Sequence, residues 1–452
     1  VYLSLPGFAS TDEERAPIQA WEGVLGAAAG VFTQISPLRQ ILNFPPVYTW
    51  VPQCSAYGAM HGSIAVMAAL LAREECGYGT VIEVPLVDAG LSGFAPFFAV
   101  NIAFYELWSR VDSERPEFFE PFMFSPDDSP ELQTEKITNA FKVMNSPAYG
   151  TFYVCSDGRK ILIHTCIDQT LKALGIDKQA KREGLVDTWG PWSTGHFPKH
   201  KQRLIQLISA AMLNKSSTEW ETILAKAGVP VTIMRTREEW LALEPMLTSG
   251  VLEEMNNGES RLIVPGRIAD VSGPGGVLSE RNFREPEATD SCQVDKLLGT
   301  YISNTLQDKW SPLKKGDLLR GLKILDLSNI VAGPTSSYTL AQYGANVIKA
   351  DPPTKNPGLL VKSMLDANQG KRSILTDVKP EQGREVFERL VAWADVVVHN
   401  CLDEVAERLG ATHAQLQAVN PDVVSCQLSA FGGTRRGGWE DRMGYDPIAQ
   451  AS

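Results

Sequence analysis

Lys323-Ile324-Leu325-Asp326-Leu327-Ser328-Asn329-Ile330-Val331-Ala332-Gly333-Pro334-Thr335 is the stretch whose reading decides the fold. Ile324 to Ser328 is a short, mainly aliphatic run of the kind that forms a buried strand. The chain then passes a Gly-Pro pair and enters a segment with Ser and Thr at its start, the composition of a helix N-terminus. The same alternation continues outward. Asn346 to Ala350, Ser373 to Asp377, Val396 to Asn400 and Val423 to Ser429 read as strands, with a helical pattern such as Glu381 to Trp393 between them. Strands spaced by helices predict an α/β fold with a parallel, doubly wound sheet and right-handed crossovers.

Residues 1–115 read as a second part of such an architecture. A strand is expected at Tyr2 to Leu5, a small-residue helix from Gln19 to Val31 and a long helix from Ser55 to Arg73. After Gly77-Tyr78-Gly79 comes the apolar run Val81 to Leu86, and Asp88 opens another apolar helix. In residues 116–270 the texture changes: Thr151 to Val154 and Lys160 to Thr165 flank Ser156-Asp157-Gly158-Arg159, a hairpin with turn chemistry. A connecting segment and a smaller α+β domain, from about Ser146 to Asp270, are expected there. Residues 271–320 mix Gly, Pro and charge and read as a linker with one helix near Val294 to Leu306, and residues 321–452 form the doubly wound part. Val1 to Phe8 can be laid on Val424 to Phe431, a displacement of 424 − 1 = 423 residues, so the chain ends in the kind of element with which it begins.

A chain of 452 residues with 44% hydrophobic and 21% charged content has the composition of a globular protein with roughly two or three packed units. Its net charge of −11 argues against a non-specific nucleic-acid binder, which needs clustered Lys and Arg. The seven cysteines are odd in number and form no C-x-x-C pair, so free thiols and no metal are expected, in a reducing, intracellular compartment. The cytoplasm comes first, with mitochondrion and peroxisome as alternatives. Gly62 to Ala72 is the most apolar run and is shorter than a bilayer requires; no membrane partner is expected.

Two junctions carry candidate chemistry. At Asn329 to Gly333 a strand feeds a helix start, where free N–H groups and the positive helix end suit an anion; an ordinary βα turn with a capping residue is the alternative. G-x-G-x-x-G is absent, which disfavours a nicotinamide cofactor. Lys349, Lys371, Arg372 and Arg408 recur near the same expected sheet edge; together they would hold phosphates, and scattered solvated charges are the other reading. The second junction is Asp88, which follows an apolar strand. It reads either as a poorly solvated, nucleophilic carboxylate or as a helix N-cap.

The run Leu322 to Leu327 through Ala332-Gly333-Pro334, with Gly344-Ala345-Asn346-Val347-Ile348-Lys349, Asn368-Gln369-Gly370-Lys371-Arg372-Ser373, Ala394-Asp395-Val396-Val397-Val398, Asn400, Glu407-Arg408-Leu409-Gly410, Asn420-Pro421 and Gly444-Tyr445-Asp446, resembles the first third of a family III CoA-transferase, the CaiB/BaiF family. Gly77 to Ala89, the Tyr149-Gly150 to Gly158-Arg159 hairpin and Glu219-Trp220-Glu221 before Gly228-Val229-Pro230-Val231 resemble its remaining two thirds. The resemblance implies Rossmann-like domains, coenzyme A bound as an acyl-CoA substrate together with a small carboxylic acid, and interlocked dimers or a pseudo-dimer of tandem copies. It implies an acyl-CoA:carboxylate CoA-transferase in which Asp88 is the catalytic nucleophile, acting through an aspartyl anhydride/thioester intermediate. It also implies that Asn329, Ile330, Ala332, Gly333, Lys349, Asn368, Lys371, Arg372, Asn400 and Arg408 line the CoA site, with Tyr445 and Asp446 near the acyl end.

The chain departs from the family's pattern in several places. A glycine-rich loop before Ser146-Pro147 and a Gly-His-Asp signature are absent, Cys401 stands where an aromatic is usual, and Pro352 stands where some members have Arg. The family's final two thirds also come first and its first third last. Part of a tandem two-copy protein is the leading account, and circular permutation is the other. A racemase or CoA-dependent lyase on the same fold, or a non-catalytic acyl-CoA-binding module, are the competing functions.

Overall fold

The computed structural model describes residues 1–34, 48–49, 51–93, 129, 132, 150–164, 167–185, 198–243, 250, 252–256, 261–266, 269, 271–273, 317–353, 367–431, 439 and 442–444. The expected helix near Val294 to Leu306, together with Tyr445 and Asp446, lies outside them.

The N-terminal part contains β1 (Tyr2–Ser4), α1 (Glu22–Ala28), α2 (Val31–Gln34), α3 (Gln53–Cys76), β2 (Val81–Glu83) and α4 (Leu86–Ser92). β1 and β2 pair in parallel, Tyr2 opposite Val81. The helix expected from Gln19 starts at Glu22, and Gly30, at φ 76°, separates α1 from α2 by taking the left-handed conformation that glycine reaches without steric cost. α3 is longer than expected, and by length and composition alone it would suit a bilayer. Its small residues instead pack inward: Cys54 joins Phe8, Leu25 and Val87, while Ala65 and Ala69 meet Ile82. Small side chains let neighbouring backbones approach closely along this side of the helix, while Met60, Met67 and Leu71 are exposed.

The middle part contains β3 (Gly150–Val154), β4 (Lys160–His164), α5 (Ile167–Ala173), α6 (Asp177–Arg182), α7 (Pro198–Met212), α8 (Ser217–Lys226), β5 (Val231–Ile233), α9 (Arg237–Leu241), β6 (Leu252–Asn256) and β7 (Arg261–Pro265). β3, β4 and β5 form an antiparallel sheet in that order, and the expected hairpin turns at Cys155 to Arg159. Helices cover one face around Ile161, Ile163, Leu204, Ile208, Met212 and Leu224. Capping boxes at Ser216/Glu219 and Thr236/Glu239 start α8 and α9, each satisfying two backbone donors.

The last part contains β8 (Lys323–Asp326), α10 (Ala332–Gln342), β9 (Asn346–Asp351), β10 (Arg372–Leu375), α11 (Glu381–Trp393), β11 (Val396–His399), α12 (Asp403–Leu409), α13 (His413–Val419) and β12 (Val424–Gln427). The sheet is parallel throughout, in the order β10-β9-β8-β11-β12. Alternation along each strand assigns the two faces. Leu325 and Val397 meet Phe387, Val391 and Leu416 of α11 and α13, whereas Ile324 and Val398 meet Leu340 of α10 and Ala68 of α3. Burying each of these aliphatic side chains contributes about 1.5–3 kcal/mol. α3 therefore joins the N-terminal part to the sheet. Phe431 and Trp439 meet Leu162 and Leu252, joining the segment after β12 to the middle part.

Candidate functional site

The strand order places a reversal between β8 and β11: the chain winds from β8 to β9 and β10 on one side, then returns to β11 and β12 on the other. Parallel sheets bind ligands outside the carboxyl ends of the strands at such a switch point. The residues that follow these two strands meet there. The Asn329 amide donates to Asn400 Oδ1 at 2.8 Å, and Asn400 Nδ2 donates to the Asn329 carbonyl at 2.8 Å. This reciprocal pair fixes the turn that leads into α10.

That turn is strained, since Ile330 has φ 72° and is the one non-glycine residue with positive φ among the described residues. A β-branched residue disfavours this conformation, so the surrounding structure has to enforce it. Val331 precedes α10, and no side chain caps the helix start, contrary to the ordinary capped turn. Asn329, Val331 and Ala332 are exposed, while Gly333 is buried. A Cβ at Gly333 would collide with Ser328 Cβ and Oγ, so this close approach requires glycine. An uncapped helix end with exposed backbone suits an anion.

Beneath the turn lies a charge cluster. Asp326 is fully buried and accepts from the Ser328 amide at 2.8 Å, the Ser337 hydroxyl at 2.6 Å and Lys371 Nζ at 2.8 Å. Burial by itself raises the Asp326 carboxyl, but Lys371, Lys349 and the hydrogen bonds from Lys371 and Ser328 more than offset it, holding the group below the usual carboxylate range. Lys371 Nζ also donates to the Pro334 carbonyl and Asn368 Oδ1, both at 2.7 Å. An ammonium has three hydrogens, and all three are engaged inside the protein. Lys371 and Asn368 thus tie the first turn of α10 to β8, and in this arrangement the ammonium has no hydrogen for a phosphate. The Lys349 ammonium is likewise buried, 2.6 Å from Asp351. These two lysines differ from the expectation of phosphate-facing charges because buried carboxylates engage them.

Arg372 and Arg408 are exposed. Arg372 donates to Asn346 Oδ1 at 2.8 Å, and its guanidinium lies 5.8 Å from the Trp393 ring centroid. Arg408 stands in the last turn of α12 and has no side-chain partner among the described residues. Of the four expected basic residues, it is the one without a side-chain partner among the described residues.

Asp88 differs in solvation and in helix position from what the sequence suggests. It is exposed, not desolvated, and it is the third residue of α4 rather than its cap, a position taken by Pro85. The first two amides of α4 donate to the carbonyls of Pro6 and Gly7, which anchors the helix start to the chain leaving β1. A carboxylate in the first turn is favoured by the helix dipole. No partner engages it among the described residues. One turn later, Ser92 Oγ lies 2.9 Å from His61 Nε2 of α3. Sequence reasoning passed over His61, because a single histidine in an apolar helix reads as core.

It also left aside the cluster of Glu221, Arg235, Trp439 and Arg442. Arg235 grips the buried Glu221 through both carboxylate oxygens at 2.7 and 3.0 Å, and Arg442 lies 3.6 Å from Glu221 and 4.2 Å from the Trp439 ring centroid. It binds the segment just before Tyr445 and Asp446 to the middle part. No group of metal-ligating side chains occurs among the described residues.

A doubly wound parallel sheet with an uncapped, glycine-dependent turn at its switch point has the architecture of an α/β protein whose strand ends suit an anionic ligand. The family model for CoA-transferase family III matches residues 1–281 and 319–452, and the chain belongs to that family. It is 30% identical to the CoA-transferase/lyase DddD of Marinomonas sp. (strain MWYL1) over 100% of this chain and 56% of that protein. It is 36% identical to the probable CoA-transferase Rv1866 of Mycobacterium tuberculosis over 100% of this chain and 53% of that protein. The chain thus spans about half the length of these two curated relatives. A solved CAIB/BAIF family protein from Brucella suis is 37% identical over 29% of this chain and 37% of its own, with a TM-score of 0.26.

Proposed function

We propose that this chain carries an acyl-CoA:carboxylate CoA-transferase activity in which Asp88 is the nucleophile. The observation that carries the reading is Asp88 itself: within a CoA-transferase family match, it stands exposed in the first turn of α4 with no cation engaging it. An Asp88 oxygen attacks the thioester carbonyl, the C–S bond breaks with its electron pair leaving on sulfur, and an acyl-aspartyl anhydride forms. The thiolate then attacks the aspartyl carbonyl, the donor carboxylate leaves and Asp88 becomes a CoA thioester; the acceptor carboxylate attacks that carbonyl and expels the thiolate, which attacks the acceptor's own carbonyl, releasing the new acyl-CoA and returning the Asp88 carboxylate. The CoA phosphates lie over the Asn329–Gly333 turn with Arg408 as their charged partner, and Tyr445 and Asp446 flank the acyl group. Lys349, Asn368 and Lys371 act beneath that surface, shaping the turn.

The order of segments supports a two-copy reading over a private circular permutation. Relatives roughly twice as long align with the whole chain, whereas a formyl-CoA:oxalate CoA-transferase aligns with 30% of it. Asp88 and the CoA turn accordingly belong to different copies of one repeated unit, and a tandem pseudo-dimer or a homodimer completes each site. The test is to incubate the protein with formyl-CoA or succinyl-CoA and a panel of small carboxylates and look for new acyl-CoA species by mass spectrometry. A new thioester that depends on Asp88 supports the transferase. A lyase is the second reading, favoured by the name of the Marinomonas relative; elimination to an α,β-unsaturated acyl product would select it, whereas exchange of acyl α-hydrogens with solvent deuterium without elimination would point to a racemase.

A further inference from the structure

The pair formed by His61 and Ser92 lies outside every role assigned above, and its geometry is specific. Ser92 Oγ donates its one hydrogen to the Ala89 carbonyl at 2.7 Å. It therefore accepts from His61 Nε2–H, at 2.9 Å. This fixes the tautomer: Nε2 carries the hydrogen and Nδ1 carries the lone pair. Nδ1 has no partner among the described residues. Burial lowers the imidazole's proton affinity, which favours the neutral form. The titratable groups on the packed helices are Asp88 on α4, Glu22 on α1, and Cys54, Tyr57, Arg73, Glu74, Glu75 and Cys76 on α3. Glu22 is committed to the Cys54 and Ser55 amides and the Ser55 hydroxyl.

Ser92 is four residues after Asp88 on α4, and both are exposed, so they share one face with Cβ atoms about 5–6 Å apart. A reacting carbonyl carbon stands about 3–3.5 Å from the attacking Asp88 oxygen, and the departing sulfur is one bond beyond it. The imidazole that Ser92 holds is thus placed beside the face of α4 that carries Asp88.

We propose that His61 is the acid–base residue for the CoA thiol, and that Ser92 is the positioning residue that sets its tautomer. The proposal rests on the reading of Asp88 as nucleophile. When free CoA re-enters, Nδ1 takes the thiol proton as sulfur attacks the anhydride carbonyl. The C–S bond forms, the C–O bond to Asp88 breaks, and its electron pair returns to the Asp88 carboxylate. In the opposite direction, the imidazolium returns the proton to the leaving thiolate. A thiol at its ordinary pKa is a poor nucleophile below about pH 8.5, and this relay removes that dependence.

Three measurements test this. Nitrogen-15 NMR of the histidine-labelled chain should show His61 protonated at Nε2 and bare at Nδ1, with Ser92→Ala redistributing the hydrogen; a hydrogen on Nδ1 in the unaltered chain overturns the assignment, whatever the activity. Exchange of deuterium-labelled CoA into succinyl-CoA should fall about 100-fold in His61→Gln at pH 6.5, with the deficit closing as pH approaches about 8.5. His61→Gln should still accumulate the Asp88 hydroxamate when trapped with hydroxylamine, more slowly but to the same final extent. Exchange at the unaltered rate in a variant that forms this hydroxamate removes His61 from the mechanism and leaves Asp88 in place. Exchange that survives Asp88→Asn, with no hydroxamate, refutes the Asp88 reading instead.

Discussion

Replacing Lys371 with Met removes the ammonium from a pocket in which its side chain is 1% exposed and that of Asp326 is 0% exposed. The methionine fills much of the volume, so the main loss is electrostatic: Asp326 remains buried without its cation, and the Pro334 carbonyl and Asn368 lose a donor. Breaking one side of a buried pair costs about 3–5 kcal/mol, a large share of the 5–15 kcal/mol that holds a domain folded. The sign with pH follows from Asp326. In the native protein its folded pKa lies below the unfolded value, so its contribution is present above about pH 4 and lost as pH falls through the folded pKa. In Lys371→Met the carboxyl keeps Lys349 and its Ser328 and Ser337 hydrogen bonds but loses the largest counterweight to burial, so its pKa rises, and the deficit is greatest near pH 7 and shrinks as acid protonates Asp326. Urea unfolding followed by circular dichroism from pH 4 to 8 measures this, and Lys371→Met/Asp326→Asn should recover most of the loss. A variant within about 0.5 kcal/mol of the parent at pH 7, or a deficit that does not change with pH, would show that Lys371 is free to face a ligand and would refute the buried-tie reasoning.

Gly333→Ala forces a methyl group against Ser328 at the base of the turn and should cost about 1–3 kcal/mol in urea unfolding; a neutral result would mean that the turn relaxes freely. Arg408→Ala should leave unfolding unchanged and weaken CoA binding about ten- to hundredfold by calorimetry, the worth of a charge-assisted hydrogen bond, with a smaller deficit at high salt; unchanged affinity would remove it from the phosphate site.

The strands were legible because hydrophobic periodicity and burial coincide in them. Ile324 and Leu325 alternate between the two helical layers, and α11 runs from Glu381 to Trp393, the bounds that its apolar spacing predicts. The roles of charged groups were less legible, because they depend on partners distant in the chain. Lys371 sits in a turn-like Asn-Gln-Gly-Lys sequence that reads as surface, and Asp326, which buries it, is 45 residues away. Asp88 follows an apolar strand, yet β2 is three residues long with Val81 and Glu83 exposed, so the strand provides no dry pocket for the carboxylate. His61 gains its meaning from Ser92, 31 residues away across a helix pair. The Glu221 cluster depends on residues more than 200 positions apart, a distance over which local pattern carries no information.

The central claim is that Asp88 forms a covalent acyl intermediate, and trapping that intermediate tests it most directly. The protein is incubated with an acyl-CoA donor and hydroxylamine, digested and mapped by mass spectrometry. Asp88→Asn serves as the control, since an amide of nearly the same shape at an exposed helix position preserves the fold and CoA affinity. The account predicts a hydroxamate at Asp88 and at no other carboxylate, and a fall of several orders of magnitude in acyl exchange for Asp88→Asn. A hydroxamate on a different carboxylate, or normal exchange by Asp88→Asn, would contradict it.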